Sequence, residues 1–81
     1  TLLNPQTFTV LPNPAQDRII ITLSESQNAI IQIYDIAGKL VLEKKSDQIS
    51  TQIDLSEFSP GVYWLTVEQN GKTTGQKIIL E

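Results

Sequence analysis

Gly61-Val62-Tyr63-Trp64-Leu65-Thr66-Val67-Glu68-Gln69-Asn70-Gly71 is the stretch that decides the fold. Between Gly61 and Gln69 the side chains alternate. Tyr63, Leu65 and Val67 fall on one face, and Val62, Trp64, Thr66 and Glu68 on the other. A period of two is the signature of a strand with one face toward a core. Asn70-Gly71 follows at once. Both residues tolerate positive φ, which a two-residue type I′ hairpin needs. The chain is therefore expected to run out along one strand and back along the next.

The same reading extends outward in both directions. Ile19, Ile21 and Leu23 share one parity, as do Ala29, Ile31 and Ile33. Ile49-Ser50-Thr51-Gln52-Ile53-Asp54-Leu55 alternates almost strictly, and Ile78-Ile79-Leu80 ends the chain with a short apolar strand. Strands are expected at about 8–11, 17–23, 28–36, 40–46, 49–54, 61–69 and 73–80. Between them, Ala37-Gly38 reads as a tight hairpin with Gly38 left-handed at a bulge. Ser59-Pro60-Gly61-Val62 reads as a type II turn. Ser24-Glu25-Ser26-Gln27-Asn28 is a polar connection. Asp54-Leu55-Ser56-Glu57 can cap one short turn, with Asp54 accepting near Glu57. No stretch of helical length has helical periodicity. Seven short strands at this spacing predict an all-β sandwich.

Composition narrows the function. The chain has 81 residues, a net charge of -3, and neither cysteine, histidine nor methionine. That length makes one domain with a modest core. Without histidine or cysteine, Ser–His and Cys–His catalysis are excluded. The acidic residues Asp17, Asp35, Asp47, Asp54, Glu57 and Glu68 are scattered, with no Asp-x-Asp-x-Asp spacing. Neither paired-carboxylate catalysis nor a metal site is expected. Six thinly spread basic residues argue against nucleic acid. With no methionine, the chain is expected to be a piece of a longer protein.

Two further motifs have both a structural and a functional reading. In Pro12-Asn13-Pro14-Ala15-Gln16-Asp17 the prolines fix φ and push Asn13 into an extended conformation. The result is a stiff corner that Asp17 can brace, or else a rigid patch shown to a receptor. Gly38-Lys39 is an ordinary hairpin tip with a solvated lysine, or a contact point. Trp64 has the parity opposite to the core. It covers the second sheet face, or lies exposed as a sugar-stacking platform.

Together and in order, these segments resemble the type A C-terminal sorting domains of the type IX secretion system of Bacteroidetes-phylum bacteria. The resemblance runs from about Val10 to the end. It rests on Pro12 to Asp17, the strand Ile19 to Leu23, and Tyr34-Asp35-x-x-Gly38-Lys39-x-Val41. It continues through Leu55-Ser56-x-x-x-x-Gly61-x-Tyr63, Asn70-Gly71 and the terminal strand. The resemblance implies an immunoglobulin-like β-sandwich of about seven antiparallel strands. It implies a sorting domain over 9–81 behind a linker and cleavage region over 1–8. Such a domain is a ligand and a substrate, not an enzyme, and needs no cofactor. Its implied partners are the outer-membrane translocon with its shuttle protein, a sortase-like surface peptidase, and the N-terminal cargo domain of the same parent. Its implied route is through the periplasm to the cell surface or medium. The implied recognition residues are Pro12, Asn13, Pro14, Asp17, Gly38, Lys39, Lys77, Ile78, Ile79 and Leu80. Gly61, Tyr63, Asn70 and Gly71 are implied structural positions. One departure is Glu81, where many relatives end in lysine or arginine.

Two rival readings stand beside this one. The first is an immunoglobulin- or fibronectin-like accessory module that binds carbohydrate or acts as a spacer. The second is an adhesin- or pilin-like unit that assembles by strand exchange.

Overall fold

The computed structural model describes residues 8–23 and 28–81. Most of the expected linker and of the polar connection, at 1–7 and 24–27, lies outside the described residues. Seven strands follow one another: β1 (Phe8–Leu11), β2 (Arg18–Leu23), β3 (Ala29–Tyr34), β4 (Leu40–Ser46), β5 (Ser50–Asp54), β6 (Gly61–Gln69) and β7 (Lys72–Leu80). They form two antiparallel sheets, ordered β1-β2-β5 and β4-β3-β6-β7. This is the expected all-β sandwich. Phe8, counted both in the implied linker at 1–8 and in the strand expected at 8–11, is the buried first residue of β1.

Alternation does the folding. Ile19, Ile21 and Leu23 of β2 meet Ile31, Ile33, Leu65 and Val67 of the other sheet in one apolar cluster. Phe8, Val10, Ile53, Leu55, Ile78 and Leu80 complete it. Each such side chain, fully buried, contributes roughly 1.5–3 kcal/mol. The polar side chain buried with them is Thr51, whose hydroxyl donates to Ser46 Oγ at 2.8 Å. Among the described residues, no buried side-chain nitrogen or oxygen lacks a hydrogen-bond partner.

The turns follow the chemistry of their residues, with one exception. Asn70 and Gly71 have φ of 53° and 76°, both positive as a type I′ turn requires. Gly38 has φ 88°. The extra residue is on β4: Ile33 pairs with Leu42 while Tyr34 pairs with Leu40, so Val41 bulges. Gly61 differs from expectation. Its φ of 153° is far from the roughly +80° of a type II turn, although it begins β6 as expected and pairs with Leu80. The loop before it is held otherwise. Phe58 N–H donates to Leu55 O at 3.0 Å, Tyr63 stacks on Phe58 with centroids 5.7 Å apart, and its hydroxyl donates to Ser59 O at 2.6 Å. Asp54 Oδ1 accepts from Ser56 N–H at 2.9 Å, one residue earlier than expected.

Trp64 lies on the outer face of the four-stranded sheet, 48% exposed. Its indole crosses to the neighbouring strand and rests over Gly75, where an added Cβ would come within 2.6 Å of the ring. Glycine weakens a strand by leaving it uncovered, and here the ring supplies the cover.

Two outcomes are expected. Gly75→Ala pushes the indole off the sheet. Trp64 is the chain's single tryptophan, so its fluorescence emission moves to longer wavelength, with a stability loss on the order of 1 kcal/mol. Separately, the hydrogen bonds from the Ser56 backbone and hydroxyl hold the Asp54 carboxyl below its usual 3.8. The contribution of Asp54 is therefore present above that value and lost as pH falls through the lower folded-state value. Asp54→Ala lowers the melting temperature at pH 7, and the gap to the parent closes below pH 3.8.

Candidate functional site

Two of the implied recognition elements, 64 residues apart, form one structure. Between β1 and β2 the chain passes along the outer edge of β7. The bonds Leu11–Pro12 and Asn13–Pro14 are cis. Neither proline has an N–H to satisfy, so the segment asks little of its surroundings. Asn13, held between them, turns its amide onto the β7 backbone. Oδ1 accepts from Ile79 N–H at 3.1 Å, and Nδ2 donates to Lys77 O at 3.1 Å. Ala15 continues the contact. Its N–H donates to Ile79 O at 2.8 Å, and its carbonyl accepts from Glu81 N–H at 2.8 Å. Ala15 and Leu80 thus make a parallel bridge, and the small Ala15 side chain is buried in the core. Four outward backbone groups at the end of β7 are satisfied by a segment belonging to the other sheet.

This arrangement redistributes the implied roles. Ile78 and Leu80 are core residues, 1% and 3% exposed, so their side chains present nothing to a receptor. Lys77 and Ile79, of opposite parity, are exposed. Asn13 spends both ends of its amide within the fold. The corner is braced by Asn13 and Ala15. Asp17 contributes through its carbonyl, which accepts from Leu55 N–H at 2.8 Å. Pro12, Pro14 and Asp17 line an open depression of about 450 Å³ with Arg18, Ile20 and Glu81.

The hairpin between β3 and β4 is built on Asp35. Its Oδ1 accepts from Ala37 N–H and Lys39 N–H, each at 2.9 Å. Gly38 N–H donates to Asp35 O, and Asp35 N–H to Lys39 O, both at 2.9 Å. Lys39 is exposed beside this fixed tip, and Ile36 on it is 84% exposed. Sequence reasoning passed over Ile36 and gave Asp35 no role. The residue pattern Asp-x-x-Gly carried the signal for Asp35, since aspartate opens such turns by bonding its own backbone.

The hairpin and the last strand are also linked across the sheet. Leu40 pairs with Tyr34, Tyr34 with Trp64, and Trp64 with Lys77. One cross-strand row thus carries the chain from Lys39 to Lys77. Among the described residues, no group of three or more Asp, Glu, His or Cys side chains could hold a metal ion.

Comparison with known proteins places this geometry. The chain is 28% identical over 78 residues to a funoran endo-beta-hydrolase of Wenyingzhuangia aestuarii, covering 94% of this chain and 11% of that protein. It is 36% identical over 62 residues to an ulvan lyase of Nonlabens ulvanivorans, covering 75% and 12%. The chain therefore spans about a tenth of the length of these enzymes, and what it shares with them is a short segment. In structure it is similar to PorZ of Porphyromonas gingivalis, described as an essential bacterial surface component of the type-IX secretion system. The TM-score is 0.71 at 19% identity, covering 91% of this chain and 11% of that one.

Asn13→Ala removes one donor and one acceptor from the edge of β7. Each such bond contributes roughly 0.5–1.5 kcal/mol. Urea unfolding is expected to show a loss of about 1–2 kcal/mol, and hydrogen exchange a faster amide at Ile79. An unchanged Ile79 amide would mean that Asn13 does not hold the strand. Residues 9–81 match the family of secretion system C-terminal sorting domains, and the chain belongs to that family, as a type IX sorting domain and not a catalytic one.

Proposed function

We propose that this domain directs a larger cargo protein, to whose C-terminal side it is joined, across the outer membrane through the type IX machinery. A sortase-like peptidase then removes it by cutting before or within 1–8. The observation that carries the reading is the family match over 9–81. The fold supports it. The described residues form a rigid sandwich with its chemistry on the surface, which presents the same face whatever precedes it. The enzymes that share the segment are far longer than it, as cargo with a common label would be. In this reading the partners are the translocon with its shuttle protein, and the cargo passes from the periplasm to the surface or medium.

The accessory-module reading has one observation in its favour, the half-exposed Trp64. The strand-exchange reading loses ground to the occupied end of β7, because a donated strand would find that stretch of edge taken.

The test joins residues 1–81 to the C-terminus of an exportable fluorescent protein, in a bacterium with the type IX system and in its translocon-deficient derivative. The expected result is reporter outside the cell in the first and in the periplasm in the second. Periplasmic reporter in both strains overturns the reading. Mass spectrometry of the released reporter is expected to find a new C-terminus at or before residue 8. An intact fusion in the medium would leave sorting standing and remove the cleavage step. Deleting 77–81 is a poor control, because Ile78 and Leu80 are core and the domain would unfold.

A further inference from the structure

The outer face of the four-stranded sheet carries an apolar band that no sequence motif marks. Its spine is the row Leu40–Tyr34–Trp64 across β4, β3 and β6. Val62, 40% exposed, widens it toward β7, where it pairs with Ile79. Leu40 and Ile79 are likewise exposed. The bulge at Val41 is what puts Leu40 on this face, since it lets Leu42 face inward and Leu40 outward. Side chains of this size left side by side on a solvent face are the usual mark of an interaction site.

The ends of the band are charged. Lys39 adjoins Leu40 at one end, and Lys77 pairs with Trp64 at the other. Three strand spacings separate β4 from β7, about 14 Å. The nearest carboxylate on the neighbouring row, Glu43, accepts the Gln32 amide at 2.8 Å. Asp35 beside Lys39 spends Oδ1 on the hairpin backbone, so the band meets its partner as apolar surface with Lys77 on its row and the exposed Lys39 next to Leu40 in the chain.

We propose that this band is the docking face for a protein of the sorting machinery that presents an apolar patch flanked by carboxylates. The proposal rests on the sorting reading and names its surface. It also assigns Trp64 the centre of that surface, and it makes Lys39 and Lys77 the two ends of one row. A protein partner suits the face better than a glycan. Beyond the Tyr34–Trp64 pair the band is aliphatic, in Leu40, Val62 and Ile79, and the polar groups a sugar would use are engaged. Tyr34 hydroxyl donates to Gln32 Oε1 at 2.9 Å, and Gln32 in turn donates to Glu43.

The test uses the fluorescent fusion of the whole chain. Three variants touch the band: Leu40→Glu, Val62→Glu and the double reversal Lys39→Glu/Lys77→Glu. The control is Leu11→Glu, which charges an even more exposed position, at 67%, on the other sheet. All are first shown to melt within about 5 °C of the parent. The expected result is export reduced about tenfold or more in each band variant, and unchanged in Leu11→Glu. Band variants exported as well as the parent would overturn this surface and leave the sorting reading intact. A parent fusion held in the periplasm would overturn the sorting reading, and this surface with it. Two further measurements on the isolated fusion separate other occupants. Retention on agarose or cellulose beads, lost in Trp64→Ala while Lys39→Glu/Lys77→Glu is exported normally, would make the band a glycan platform instead. A dimer in sedimentation, broken by Leu40→Glu without loss of export, would make it a self-association face.

Discussion

The contact between Asn13-Pro14-Ala15 and the end of β7 is the constraint on which the rest depends. An edge strand ending in Ile78-Ile79-Leu80 is a hazard, because unpaired backbone beside apolar side chains recruits other strands. Here the edge is covered by residues with few demands of their own. The two prolines lack donors, and the alanine is small enough to sit in the core. The same four hydrogen bonds tie the sheet that holds β1 and β2 to the sheet that holds β7. Because Ala15, Ile78 and Leu80 belong to the core, the seal and the core stand or fall together. A domain without cysteine, and so without a disulfide to staple it, has few other ways to close that side of the sandwich.

Much of the fold was legible because alternation and turn chemistry are local. Leu65 and Val67 declare their face within five residues, and Asn70-Gly71 names its own turn. The errors were also local in origin. Pro60-Gly61 was read as a type II turn on composition, yet the φ of Gly61 is 153°, while its place at the start of β6 is the expected one. Ile78-Ile79-Leu80 was read as a short apolar strand and, through the resemblance, as part of the recognition residues, without the parity that three consecutive apolar residues hide. The structure separates it into two inward residues and one outward.

The site was less legible than the fold because it depends on register. Asn13 and Lys77 are both visible in the sequence, but nothing in either says that the amide of one closes on the carbonyl of the other. The row from Leu40 to Lys77 needs the order β4-β3-β6-β7, the register of three strand pairs and a bulge at Val41. A parity error of one residue anywhere along it would send a member to the core. Trp64 illustrates the gain. Its parity showed that it left the core, but only the pairing shows that it covers Gly75 and stands between Tyr34 and Lys77.

These placements bear on what kind of signal the domain is. A peptide signal is read along the chain, each side chain in turn. That is incompatible with a terminal stretch in which every second side chain fills the core. Reading Ile78 or Leu80 directly would require unfolding the domain, because their removal from the core costs roughly 2–5 kcal/mol each against a total stability of about 5–15 kcal/mol. A receptor that takes the domain folded meets Lys77 and Ile79 from this stretch, and meets them next to Trp64 and Val62 of β6. In the proposed sorting reading the signal is a surface assembled by the fold, and folding is a condition for presenting it. In that reading the sealed edge at Asn13 has a consequence for transport: a variant that loosens β7 is expected to lose the label even when every exposed residue is intact.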